Sequence, residues 1–289
     1  MYEPVWERPE TADTLEAILA SAGGRARMIA GGTDLTPLIK RGEVRPEILV
    51  DLGRVEGLSR IDIGPGGGWA EIGALTTHAR VARDHTVHGR ATVLADACGA
   101  VGSPQIRARG TIGGNIANAS PAADGTVALV ALDATVHVRP VGGRGEKGGI
   151  PLAGFFEGPG KTVLGPEEFI SSISFGLPEM GARSAYLKVG QRNALAIAIV
   201  SAAVVFEPST GRVRIALGSV APTPVRATAA EELFAAEWPR AKAREALLDE
   251  VAATAIEATA CIDDVRASAW YRADLVRTLT RRTLGMLCS

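Results

Sequence analysis

Aromatic residues are scarce in this 289-residue chain, at 4%, which argues against the stacked-aromatic surfaces that hold single-stranded nucleic acids. Neither sign of charge is in excess. Against 31 Lys and Arg stand 32 Asp and Glu, a formal net charge of −1, so no basic field invites a nucleic-acid backbone or an anionic membrane. Only three cysteines occur, Cys98, Cys261 and Cys288, and none is paired by CxxC spacing. A local metal or iron–sulfur signature is therefore missing, although ligands distant in sequence can still converge, and reduced thiols are the expectation. The four histidines, His78, His85, His88 and His137, form no metal-ligand spacing either. No apolar run approaches the roughly 20 residues of a membrane span. The N-terminal stretch Met1-Tyr2-Glu3-Pro4-Val5-Trp6 has neither the basic nor the apolar region of a signal peptide, so a cytoplasmic location is expected.

What is present is an ordinary globular composition, 46% hydrophobic and 22% charged, in a chain long enough for a large core and two or three subdomains. The first fifty residues read as βαβ: a helix begun by the box Asp13-Thr14-Leu15-Glu16 and ended by Gly23-Gly24, then strands at 26–30 and 47–52 around a short helix containing Pro37. Residues 60–63 and 69–72 flank Gly64-Pro65-Gly66-Gly67-Gly68 and predict a hairpin. Thr76-Thr77 predicts a cap for a helix through Arg83, and 92–101 and 126–132 predict buried helices. Strands are expected at 134–139 and 149–152, joined by a glycine-rich, charged segment at 142–148. Three antiparallel strands follow at 184–189, 198–206 and 212–219, and amphipathic helices at 238–257 and 269–287 close the chain. No internal repeat is evident.

Two glycine-rich loops lie about eighty residues apart, Ala30-Gly31-Gly32-Thr33-Asp34-Leu35 and Gly110-Thr111-Ile112-Gly113-Gly114-Asn115. A glycine pair lets backbone approach a phosphate without Cβ interference and aims several N–H donors at it, so two such loops suit one diphosphate held from both sides. Each alone is also a common structural turn. Arg107 and Arg109 suit either a phosphate or an ordinary salt bridge; taken without further context, Asp124 suits a helix N-cap and Lys188 the surface.

The first loop resembles the first flavin-binding motif of the FAD-binding (medium) subunits of molybdenum hydroxylases, the family of carbon monoxide dehydrogenase medium subunits and xanthine dehydrogenase FAD domains. Arg107-Ala108-Arg109 with the second loop, followed by Ser120-Pro121-Ala122-Ala123-Asp124, resembles the second motif. Further matches are 155–164 with Pro166-Glu167-Glu168, then Lys188-Val189-Gly190-Gln191-Arg192, then 218–226, and Ser268-Ala269-Trp270-Tyr271-Arg272, so the resemblance covers nearly the whole chain.

The resemblance implies an α+β fold in three parts. Residues 1–54 and 55–174 form a two-subdomain FAD-binding fold of the vanillyl-alcohol-oxidase type, and 175–289 a C-terminal α+β domain with a three-stranded antiparallel sheet. It implies non-covalent FAD contacted by Ala30, Gly31, Gly32, Thr33, Asp34 and Leu35, by Thr111, Gly114 and Asn115, by Asp124, and near the ring by Leu164 and Lys188. A cation there favours the anionic reduced flavin. It places a molybdenum cofactor and [2Fe–2S] clusters on large and small partner subunits, in a dimer of heterotrimers. The implied reaction of this subunit is electron transfer to NAD, a quinone or oxygen, with no catalytic side chain required. A stand-alone FAD oxidase and a cofactor-free assembly subunit are the alternatives. One departure is Ala196, where many relatives carry an acidic residue, which makes the surroundings of the ring less negative.

Overall fold

The computed structural model describes residues 3–140 and 147–289, so most of the glycine-rich segment expected at 142–148 lies outside the described residues. The N-terminal part contains β1 (Val5–Glu7), α1 (Ala12–Ala22), β2 (Ala26–Ile29), α2 (Leu35–Lys40) and β3 (Ile48–Asp51). Its strands form a parallel sheet in the order β1-β3-β2. Helix α1 starts two residues earlier than the Asp13 box suggests. Thr11 is its N-cap, with Oγ1 accepting from the Thr14 N–H at 3.2 Å, and Gly23 ends it in the left-handed conformation that glycine tolerates (φ 54°). Leu15 and Leu19 of α1 pack with Val50 and Leu52, and with Phe169 from far along the chain.

The middle part comprises β4 (Ile61–Ile63), β5 (Trp69–Gly73), α3 (His78–Arg83), α4 (His85–Arg90), α5 (Thr92–Ala100), α6 (Pro104–Arg109), α7 (Ile112–Ala117), α8 (Asp124–Ala131), β6 (Thr135–Pro140), β7 (Lys147–Pro151), β8 (Phe156–Gly158), β9 (Lys161–Thr162) and β10 (Glu168–Gly176). Five of these strands make an antiparallel sheet, β4-β5-β10-β6-β7. Strand β10, which the sequence pattern does not announce, is the central one. Its register shifts between Ile170 and Ser172, and this bulge breaks the alternation that reveals a strand. The part boundary expected between 174 and 175 falls inside β10. Phe169 faces the N-terminal core, while Ile173 and Phe175 face the main one.

The last part holds β11 (Arg183–Gly190), β12 (Ala198–Glu207), β13 (Arg212–Gly218), β14 (Val225–Arg226), α9 (Thr228–Glu237), α10 (Arg244–Thr254) and α11 (Ala269–Cys288). The three expected strands pair antiparallel, and the two-residue β14 extends the sheet to four, β11-β12-β13-β14. All ten residues of β12 are buried because both faces of this sheet are covered. Ala203 and Val205 join the core shared with α5 and α8, whereas Ala202, Val204 and Phe206 join the one shared with α9, α10 and α11. Helix α8 is likewise buried in all eight residues, which explains its all-round apolarity.

The single helix expected at 238–257 is not formed. Pro239 lacks the N–H needed to continue α9, so Trp238–Arg240 is a 3₁₀ turn and α10 starts at Arg244. Trp238 closes an aromatic cluster instead, with ring centroids 4.8 Å from Phe234 and 5.4 Å from Phe206. No helix among the described residues is long and apolar enough to cross a membrane.

Arg272 anchors α11 to the sheet. Its buried guanidinium donates through Nη1 to the carbonyls of Ile199 (2.6 Å) and Ser219 (2.8 Å), and through Nη2 to Asp264 (2.7 Å). The Asp264 carboxyl is held well below the usual carboxylate range, first by the Arg266 backbone N–H and also by Arg272. Arg272→Ala strips two carbonyls and a carboxylate of their donor at once. A loss of about 3–5 kcal/mol is expected, read as a lower urea midpoint with unchanged slope.

Candidate cofactor site

The two glycine loops, distant in sequence, touch through their backbones. The first leaves β2 and enters α2; the second connects α6 to α7. A Cβ built on Gly31 would lie 2.0 Å from the Arg109 carbonyl oxygen and 3.0 Å from the Gly110 nitrogen, so only glycine allows this approach. Gly32 adopts a positive φ of 71°, and the Asn118 side chain donates to Asp34 at 3.4 Å, adding a second tie.

The two loops then do different work. In the first, the backbone N–H groups of Gly31, Gly32, Thr33 and Asp34 find no protein acceptor among the described residues. Four consecutive unpaired donors just before a helix make an anion-binding concavity. In the second, the donors are used within the protein: Ile112 N–H to Thr76, Gly113 N–H to Ala74, Gly114 N–H to the Thr111 hydroxyl at 3.1 Å, and Asn115 N–H to Thr111. Gly113 serves packing, since a Cβ there would meet Ala74 at 2.6 Å. What this loop still offers a ligand is side-chain chemistry. Asn115 Oδ1 accepts from Thr126 at 3.1 Å, while its Nδ2 makes no hydrogen bond among the described residues.

Asp124 sits at the first position of α8, yet its side chain does not cap the helix. It is buried, accepting from the Tyr186 hydroxyl at 2.5 Å and from Lys188 Nζ at 2.7 Å. Burial pushes this carboxyl up from the usual carboxylate range, while the Lys188 ammonium and the two hydrogen bonds pull it back. Lys188 is thus no free surface lysine: Nζ also donates to the carbonyls of Ala100 (2.7 Å), at the end of α5, and Ala196 (3.3 Å). Ser184, four residues earlier on the same face of β11, accepts from the Val93 N–H at 3.0 Å, at the other end of α5. Four residues of strand span about 13 Å, close to the rise of a nine-residue helix, so β11 grips α5 at both ends. Tyr186, between them, was missed by sequence reasoning; its i, i+2 spacing to Lys188 was the available signal.

Beside Lys188 opens a cavity of about 530 Å³, walled by the end of α5, Arg107 and the 188–196 segment. Ala196 is one of the residues of that wall. Arg107 makes no salt bridge among the described residues; its Nη1 donates to the carbonyls of Val101 (2.9 Å) and Gly102 (3.1 Å). Leu164 packs against the main core and is not among the cavity's walls. His78, at the start of α3, is buried with Nδ1 3.5 Å from Cys98 Sγ. Burial, helped by the charge of Arg107, lowers its pKa to about 4, so it is neutral at pH 7. Burial raises the Cys98 thiol far above its ordinary range.

Unpaired backbone donors and a glycine-mediated loop contact suit a protein that holds a phosphate-bearing cofactor. Known proteins make that class specific. The family model for the FAD binding domain in molybdopterin dehydrogenase matches residues 1–178, and that for the CO dehydrogenase flavoprotein C-terminal domain matches residues 185–287. The chain is 32% identical over 283 residues to 6-hydroxypseudooxynicotine dehydrogenase complex subunit alpha of Paenarthrobacter nicotinovorans, covering 95% of this chain and 92% of that one. It is 31% identical to the carbon monoxide dehydrogenase medium chain of Hydrogenophaga pseudoflava, covering 97% and 95%. The structure of carbon monoxide dehydrogenase from Hydrogenophaga pseudoflava lacking the Mo-pyranopterin moiety of its molybdenum cofactor superimposes with a TM-score of 0.90, at 30% identity over 99% of this chain and 97% of that one. The chain belongs to the FAD-binding medium-subunit family of molybdenum hydroxylases, and its cofactor is FAD.

Two outcomes follow from this geometry. Gly31→Ala forces the loops apart, so FAD affinity falls at least tenfold with a lowered melting temperature, measured by flavin titration and thermal unfolding. For His78, the folded pKa of about 4 lies below the ordinary 6.5. The unfolded chain therefore takes up a proton that the folded one refuses as pH falls through that window. The resulting loss is about 2 kcal/mol by pH 5, and a His78→Gln variant, compared by urea unfolding at pH 7 and pH 5, lacks it.

Proposed function

We propose that this chain is the electron-transfer subunit of a three-part molybdenum hydroxylase. It accepts electrons from a small [2Fe–2S] partner and passes them to an external acceptor, NAD, a quinone or oxygen. The oxidation of the organic substrate belongs to a large molybdenum-cofactor partner, and the assembly is a dimer of heterotrimers. The observation that carries this reading is the row of four backbone donors, Gly31 to Asp34, held against the second loop where a cofactor diphosphate needs them. Relatives named as a medium chain and as a subunit of a dehydrogenase complex support the subunit role.

Bound FAD supplies the exchange between one-electron and two-electron chemistry that a nicotinamide lacks. The chain's own residues hold and orient it. The Ala30 to Leu35 loop receives the diphosphate, Asn115 Nδ2 and the Thr111 hydroxyl close on it from the second loop, and Asp124 accepts hydroxyl hydrogen bonds through its remaining lone pairs. Lys188 completes the set at the cavity that takes the ring; Leu164, packed against the main core, is not among its walls. No side chain is required to act as nucleophile, acid or base.

The test is purification of the tagged chain, alone and co-expressed with its neighbouring subunits. Flavin absorption bands with FAD released on denaturation, and co-purifying iron–sulfur and molybdenum subunits, are expected. A yellow chain that captures neither partner points to a stand-alone oxidase. A colourless chain that fails to take up added FAD overturns the flavoprotein function in favour of an assembly role.

A further inference from the structure

Among the described residues, the cavity wall beside Lys188 carries three cationic side chains, Arg107, Lys188 and Arg192, and no acidic one. Their charges are not equivalent. Lys188 is neutralised where it stands, with Asp124 at 2.7 Å inside the protein, so the pair presents little net charge to the cavity. Arg192 is exposed and folds back on its own loop, donating to the Leu195 carbonyl at 2.7 Å, where solvent screens it. Arg107 differs from both. It is half-buried, one nitrogen is pinned by two carbonyls of the α5–α6 turn, and its Nε and Nη2 make no hydrogen bond among the described residues. Carbonyl oxygens orient a guanidinium without cancelling its charge. The buried neutral His78 close by adds no second cation and no anion.

We propose that Arg107, and not Lys188, is the residue whose charge stabilises the reduced flavin over the oxidised flavin in this subunit. The inference rests on FAD occupying this site with its ring at the cavity. Adding two electrons and one proton to the ring leaves one net negative charge there. A fixed, poorly screened cation favours that form, whereas the Lys188–Asp124 pair mainly positions α5, α8 and β11 around it.

The experiment measures the dissociation constants of oxidised FAD and of dithionite-reduced FAD for the full-length chain, together with the midpoint potential against reference dyes. Arg107→Gln is expected to weaken reduced FAD at least tenfold more than oxidised FAD, which lowers the two-electron potential by about 30 mV. Arg107→Lys is expected to restore the wild-type ratio within a factor of about three. Equal weakening of both forms by Arg107→Gln, loss of both, or an unchanged ratio overturns the proposal. A wild-type chain that binds neither form instead refutes the flavoprotein function beneath it.

Discussion

One ammonium group joins the parts of this protein that must stay in register. Lys188 donates to the last carbonyl of α5, to the Asp124 carboxylate on α8 and to the Ala196 carbonyl of its own loop. A cation at a helix C-terminus also meets the negative end of the helix dipole. Because Ser184 on the same strand face engages the start of α5, the C-terminal sheet and the helices beneath it form one unit. The cavity wall is the edge of that unit. Removing the lysine would leave a buried carboxylate without its counter-ion, which is why its first role is architectural even though it lines the cavity.

The second organising constraint is steric. Gly31 and Gly113 each lie where a single methyl group would strike backbone or a neighbouring Cβ, and both contacts concern loop placement rather than ligand approach. The result is a division of labour between two motifs that look alike in sequence. One presents unpaired N–H groups, and the other folds its own N–H groups inward and presents side chains. The first loop alone forms the anion concavity, with the second as its rigid backing.

Much of this was legible beforehand where local chemistry decides the outcome. The loops, the Thr77 cap of α3, the hairpin around Gly64 to Gly68 and the three long C-terminal strands all carry turn or periodicity signals strong enough to survive context. The α+β architecture and its FAD-binding family were readable from ordered motifs along nearly the whole chain. Failures fall where context overrides pattern. Strand β10 hides behind its bulge, and α9 behind a modest apolar stripe. The long helix expected after Trp238 ignored Pro239, and the Asp13 box lost to Thr11.

The sequence by itself determined which residue types were available at which turns. Two glycine pairs, a carboxylate opening a helix, and a lysine two residues from a tyrosine in a strand are local facts, and local sterics and hydrogen bonding read them directly. Only the tertiary structure decided what each was for. Whether a glycine faces a ligand or a neighbouring chain segment depends on what packs within 4 Å of it. Whether a lysine or an arginine carries free charge depends on which carboxylate the fold brings to it. Asp124 and Lys188 lie 64 residues apart, and the long-range packing of α8 against β12 and β13 brought them to 2.7 Å. The same fold leaves Arg107, which the sequence could assign either to a phosphate or to a salt bridge, as the cavity's least compensated cation.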